Sequence, residues 1–280
     1  MITRFAPSPT GYLHLGHVVN AIHVWGYAGA HGGRVLVRIE DHDRIRSRPE
    51  FERALFEDLT WLGFDAREAT RQSDEPDVYE DALARLRRTA HVYACDCSRK
   101  DIHLHRDPGN GAEYYGGRCR DRGLEPGPGR GLRVVVDPGL EQFDDLRLGP
   151  QEQSPALQCG DLLLRDRDGH WTYQFAVTVD DMRQHITHVL RGADLLSSTG
   201  RQIRLARMLG RAEPPRFLHH PLVTTPSGEK LSKAAGDTGI RELRAAGVSA
   251  AEVIGLAAAA IGLVAQPGPI AATDVADLFR

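Results

Sequence analysis

Two histidines three residues apart, His14 and His17, stand on either side of Gly16 in the stretch Gly11-Tyr-Leu-His-Leu-Gly-His17, directly after the turn Pro7-Ser-Pro-Thr-Gly11. Imidazoles at this spacing share one face of a helical turn. They could ligate a metal, but no carboxylate or third histidine accompanies them locally. A helix start offers unpaired N–H groups and positive potential, so a phosphate is the better fit. Gly16 leaves room for a flat or charged group to lie against the backbone. A bare His-x-x-His is also what two satisfied helix-start histidines look like. A second stretch tips the balance. Lys230-Leu-Ser-Lys233 follows Thr224-Thr-Pro-Ser-Gly228, and its lysines are mobile point charges suited to the β- and γ-phosphates of ATP. Candidate nucleotide contacts are therefore His14, Gly16, His17, Lys230 and Lys233.

Three of the four cysteines, Cys95, Cys97 and Cys119, fall in one short window. The chain shows no basic segment followed by an apolar core at its start, so export is not expected and metal is favoured over disulfide. Zinc wants four ligands, and on residue type alone His103 or His105 would supply the fourth. Cys159 reads as a lone thiol.

These residues need elements to hold them. Ile2 to Ala6 reads as a buried strand, Leu13 to Ala28 as a helix, Arg34 to Ile39 as a second strand and Pro49 onward as a second helix. Strand, helix, strand, helix predicts an α/β fold: a parallel sheet flanked by helices. The pattern breaks at Tyr93, where a cysteine-, glycine- and arginine-rich insertion begins, with strands expected at Leu132 to Val136 and Asp161 to Leu164. Alternation resumes with Tyr173 to Asp181, a strand at Ile186 to Leu190 and a helix at Leu195 to Leu209. Ser249 and Glu252 have the form of a capping box opening a last helix that runs to Leu263. Four segments follow: 1–92 and 161–220 as the two halves of a catalytic domain, 93–160 as the insertion, and 221–280 as the lysine loop with a short helical region.

The net charge of −3 argues against a general nucleic-acid coat, while leaving local basic faces such as Arg118-Cys-Arg-Asp-Arg122 and Arg201 to Arg211. The most apolar run, Val253 to Val264, is too short to span a bilayer, so a soluble, cytoplasmic monomer is expected.

Arg4-Phe-Ala-Pro-Ser-Pro-Thr-Gly through His17, together with Lys230 to Lys233, resembles the paired "HIGH" and "KMSKS" signatures of class I aminoacyl-tRNA synthetases, in the glutamyl branch. Arg38-Ile-Glu-Asp41-x-Asp43, Trp171 to Val177 with Val179-Asp-Asp181, and His188-Val-Leu-Arg-Gly192 extend the likeness over nearly the whole chain. The chain ends 47 residues after Lys233, too few for the helical anticodon-binding domain of the full-length enzymes. It thus resembles the truncated glutamyl-queuosine tRNA(Asp) synthetase family.

The resemblance implies a Rossmann-type catalytic domain that activates L-glutamate with ATP and Mg2+, then transfers it to the queuosine base in the anticodon stem-loop of tRNA(Asp). It implies that His14 and His17 hold the nucleotide and its developing charge and that Lys233 stabilises the departing pyrophosphate. Glutamate would be bound by Arg4, Ser8, Glu40, Tyr173 and Arg191: arginines for the carboxylates, Glu40 for the ammonium, hydroxyls from Ser8 and Tyr173. Glu40 also ends a strand, where open α/β sheets bind ligands. It further implies one structural zinc, held by Cys95, Cys97, Cys119 and Tyr115, whereas residue type alone pointed to His103 or His105. Two positions depart from the full-length enzymes: Val177 replaces an asparagine near the substrate, and Ala234 replaces the final serine of the lysine motif. Rival readings are an enzyme making a small-molecule adenylate, a truncated enzyme charging tRNA(Glu), and a catalytically idle tRNA binder.

Overall fold

A computed structural model describes residues 1–42, 46–104, 114–223 and 239–280. Lys230, Lys233, Ala234, Asp43 and His105 lie outside the described residues. The chain forms two compact units. The first comprises Met1–Asp74, Ile186–Leu196 and Pro215–Arg280, and the second Glu75–His185 and Ser197–Pro214.

In the first unit, strand Ile2–Phe5 pairs in parallel with Arg34–Ile39, which pairs in parallel with Ala69–Arg71. Strands His188–Gly192 and Arg216–His220 form a second parallel pair, with His219 opposite Arg191. Thr187 ties the two sets together: its N–H donates to the Ile2 carbonyl at 2.9 Å, and its hydroxyl accepts from the Ile2 N–H at 2.8 Å. Helix Leu15–Ala30 crosses between the first two strands and buries Val18, Val19, Ile22 and Val24. Helix Pro49–Leu62 opens on proline and closes on Gly63 in the left-handed conformation (φ +89°), which a side chain would strain. Helix Ala250–Ala260 begins with the expected box: the Glu252 N–H donates to Ser249 Oγ and the Ser249 N–H to Glu252 Oε2. It stops short of Leu263 because the chain turns at Gly262, φ +75°.

The second unit holds a three-stranded antiparallel sheet, Val92–Cys95, Gly131–Val134 and Leu162–Arg165. Its core joins Leu83 and Leu86 of helix Pro76–Thr89, Leu132, Val134 and Leu164 of the sheet, and Phe175 and Val179 of helix Tyr173–Arg183. Asp180 is wholly buried there and satisfied by Tyr79 Oη at 3.1 Å and Arg183 Nε at 3.0 Å. Helix Pro76–Thr89 joins the second unit because its apolar face belongs to that core. A hairpin, Glu141–Asp145 with Gly149–Gln153, was not anticipated. Its buried positions are Glu141, Phe143 and Asp145, so acidic residues stand where alternation would need apolar ones. Arg204 and Arg207 neutralise Glu141. No helix among the described residues is long and apolar enough to cross a membrane.

Candidate active site

The turn after strand Ile2–Phe5 is fastened from both sides. The Glu40 N–H donates to the Pro7 carbonyl at 3.0 Å and the Arg48 N–H to the Pro9 carbonyl at 3.1 Å. Ser8 and Glu40 are thereby set at the carboxyl ends of neighbouring parallel strands, the edge where such sheets receive ligands.

His14 is the N-cap of helix Leu15–Ala30, and the two histidines cap it jointly. His14 Nδ1 accepts from the Gly16 N–H at 3.1 Å, and His17 Nδ1 accepts from the His14 N–H at 3.2 Å. The ring centroids lie 4.1 Å apart. With both Nδ1 atoms accepting, the neutral rings carry their protons on Nε2. The pair thus does what satisfied helix-start histidines do and also presents N–H donors of defined tautomer at a positive helix end. Gly16 matters for a reason the sequence did not show. A Cβ there would stand 2.9 Å from His14 Cε1 and 3.0 Å from Nδ1, so glycine lets the His14 ring fold over its own first turn.

Past the lysine segment, the first described residue is Gly239. Its backbone forms an antiparallel bridge with His14, and the Ile240 N–H donates to the Leu13 carbonyl at 3.1 Å. The Arg241 guanidinium lies over the Tyr12 ring at 4.7 Å.

Three charges proposed for glutamate are buried in this unit: Arg4 and Arg191 are each 4% exposed and Glu40 3%. Burying charge is costly unless it is paired or used, so such groups mark functional sites. Arg38, itself fully buried, grips Glu40 Oε1 through Nη2 at 2.9 Å and Nε at 3.3 Å. Arg191 Nε donates to His219 Nε2 at 3.1 Å and lies 5.6 Å from the Phe217 ring centre. Sequence reasoning missed both partners, although Arg38 and Glu40 at i, i+2 on a strand carried the signal for one. Asp41 accepts from the Ser73 N–H at 2.9 Å and serves the loop. Tyr173 opens helix Tyr173–Arg183 in the second unit, where Val177 is buried.

In the second unit the sulfurs of Cys95, Cys97 and Cys119 all lie within 4.8 Å of one another. Tyr115 Oη joins them, 3.4 Å from Cys95 Sγ and 3.8 Å from Cys97 Sγ, and it accepts from the Cys119 N–H at 2.9 Å. Arg133 stacks over the Tyr115 ring at 3.8 Å. Burial pushes the Cys97 thiol up to about 12 and the Tyr115 phenol well above its usual range. At Cys119 burial also pulls upward, but hydrogen bonding, with Tyr115 first, outweighs it and holds the thiol below its usual range. Buried acidic donors gathered on one point are what a divalent cation stabilises. His103 is exposed and is not part of this group.

Parallel strands that bury opposite charges near their carboxyl ends, in one unit with a helix start of positive potential, are the frame in which open α/β proteins bind ligands. Residues 1–255 match the family of class I tRNA synthetases (E and Q), catalytic domain, and the chain belongs to that family. It is 40% identical to the glutamyl-Q tRNA(Asp) synthetase of Symbiobacterium thermophilum, over 99% of this chain and 91% of that protein. It is 46% identical to the enzyme of the same name from Geobacter sulfurreducens, over 83% of this chain and 75% of that one. Among solved structures, the glutamate-tRNA synthetase of Elizabethkingia anophelis aligns with a TM-score of 0.79 at 25% identity, covering 99% of this chain and 65% of that one.

Proposed function

We propose that this protein activates L-glutamate with ATP and transfers the glutamate to the queuosine base of tRNA(Asp). A carboxylate oxygen of glutamate attacks the α-phosphorus, the bond to the β-phosphate oxygen breaks, and glutamyl-adenylate and pyrophosphate form. A hydroxyl of queuosine then attacks the acyl carbon, losing its proton, and AMP leaves. Both steps depend on positioning and charge stabilisation more than on covalent help from the protein.

The observation that carries the reading is the shared histidine cap, from which two Nε2–H donors are inferred at the N-terminus of helix Leu15–Ala30, in the compact unit that also buries Arg4, Glu40 and Arg191. In this proposal those donors hold the triphosphate. Lys230 and Lys233 hold its outer phosphates, and Lys233 stabilises the pyrophosphate as it departs. Arg4 and Arg191 bind the carboxylates, Glu40 the ammonium, and Ser8 and Tyr173 donate hydroxyl hydrogen bonds. Mg2+ enters with ATP as part of the substrate. Zinc would be held by Cys95, Cys97, Cys119 and Tyr115, and would cross-link a glycine-rich segment too poor in apolar residues to hold itself. The enzyme would work as a cytoplasmic monomer on the anticodon stem-loop.

Glutamate-dependent exchange of labelled pyrophosphate into ATP, without RNA, tests activation. Labelled glutamate transfer to tRNA(Asp) with and without queuosine tests the acceptor. Absence of exchange defeats the enzyme reading. Exchange followed by transfer to tRNA(Glu) alone would replace the acceptor.

A further inference from the structure

Arg133 is 6% exposed, a guanidinium taken almost wholly out of water. Burying a cation is costly unless an anion or a full set of acceptors compensates it. Strand Gly131–Val134 sets Arg133 opposite Tyr93, two residues before Cys95, where the sheet carries the cysteine cluster. Its Nη1 donates to the Asp161 carbonyl at 2.9 Å, and its Nε is buried without a hydrogen-bond partner. The Asp161 carboxylate is engaged elsewhere, accepting from Tyr93 Oη and from Arg120. Among the described residues no carboxylate forms an ion pair with Arg133. What the guanidinium faces instead is the Tyr115 ring, 3.8 Å away.

We infer that Arg133 is the counter-cation of the zinc site: stacked on Tyr115, it compensates the negative charge that the ligands hold in excess of the metal. Zinc ligands bind deprotonated, so three thiolates and a phenolate carry more negative charge than one zinc ion cancels. Cys95, Cys119 and Tyr115 are buried, and an uncompensated charge there is costly. A phenolate spreads its charge into its ring. A guanidinium over the ring meets that charge while leaving Oη to the Cys119 N–H and to the metal. Arg122 does less at Cys119. Its Nη1 donates to Cys119 Sγ at 3.3 Å but also to Asp96 Oδ1 at 2.7 Å, and its side chain is half exposed, so Asp96 and solvent weaken its charge. This inference rests on the proposed zinc ligands, Tyr115 included.

The test is zinc affinity, read on the full chain by competition with a chromogenic chelator, with bound zinc counted by elemental analysis. Arg133→Gln lowers the affinity about 10- to 100-fold, the usual loss on removing a residue that supports a ligand from outside the metal's own shell. Arg133→Lys keeps the charge and stays within about fivefold of the unmodified protein. Arg122→Gln stays within about threefold. In Tyr115→Phe, which has no phenolate to compensate, adding Arg133→Gln costs no more than about threefold further. A packing role for Arg133 would give the same loss with and without the phenol, and that result overturns the inference. So does an unchanged affinity in Arg133→Gln while Tyr115→Phe weakens binding. If Arg133→Gln does not fold, Arg133→Met takes its place beside Arg133→Lys, two long chains of similar bulk that differ in charge, and equal zinc affinities for that pair overturn the inference. If the unmodified protein takes up no zinc, or Tyr115→Phe leaves the affinity untouched, the proposed ligand set fails, and the role of Arg133 fails with it.

Discussion

The backbone of Gly239 pairs with that of His14. The chain that follows the lysine motif in sequence therefore meets the histidine helix at its cap, the same point where His17 and Gly16 bond to His14. This relationship joins two segments more than two hundred residues apart. It makes a specific expectation for Lys233, proposed to act on the leaving pyrophosphate. Lys233→Ala should lower kcat of exchange by about 100- to 1,000-fold, the typical loss on removing one preorganised charge-stabilising group, with a much smaller change in the ATP KM. A change confined to KM would place the lysine in ground-state binding instead.

The two tasks of His14, capping and substrate contact, are separable. Serine is a better N-cap than histidine but has no imidazole. His14→Ser should therefore keep the melting temperature within a few degrees while exchange falls by about 100-fold or more. Paired melting and exchange measurements decide it. A variant that melts early yet retains activity would make the histidine a cap and nothing else.

Gly16→Ala brings a Cβ against the His14 ring. Alanine is otherwise the better helix former by about 1 kcal/mol, so intrinsic propensity predicts a gain in stability. The steric argument predicts the reverse for activity. The ring must rotate away, the shared cap opens, and exchange should drop about 100-fold. Full activity in Gly16→Ala would mean that the cap geometry is not needed.

The cysteine cluster predicts one zinc per chain by elemental analysis. Cys119→Ser should lose it. Tyr115→Phe should weaken binding by about 10- to 100-fold in a chelator competition, and His103→Ala should leave it unchanged. The reverse ranking of Tyr115 and His103 would return the fourth ligand to histidine. Metal uptake should release protons to the medium, because the Cys97 thiol and the Tyr115 phenol are held in their protonated forms by burial.

Asp58 predicts a pH dependence of stability. Burial raises its carboxyl to about 6, against the pull of the Arg241 and Arg244 guanidiniums, and its Oδ2 is buried without a hydrogen-bond partner. The folded protein then binds a proton at Asp58 that the unfolded chain releases near pH 3.8. Stability therefore falls as pH rises between those two values, and above about 6 the full cost of the buried charge is present. Asp58→Asn should be more stable than the unmodified protein at pH 8, by about 1–3 kcal/mol in denaturant titrations, with the gain vanishing below pH 4. A loss of stability at pH 8 would show that the arginines outweigh burial.

Local chemistry was legible in the chain. Apolar spacing marked helix Leu15–Ala30, β-branched density marked strand Arg34–Ile39, and Ser249 with Glu252 marked the start of the last helix, because each depends only on neighbours within a few residues. The histidine, lysine and cysteine motifs were visible for the same reason. What tertiary structure alone decided were the pairings between distant segments. Parallel register sets His219 against Arg191, the return of the chain sets Gly239 against His14, and Tyr115 meets three thiols through an isolated bridge to Gly160. The buried acids of strand Glu141–Asp145 became readable only once Arg204 and Arg207 were seen beside Glu141. A one-dimensional pattern records which side chains could bury or bond. Which partner each one finds depends on strand register and helix packing, and those are settled by the whole chain at once.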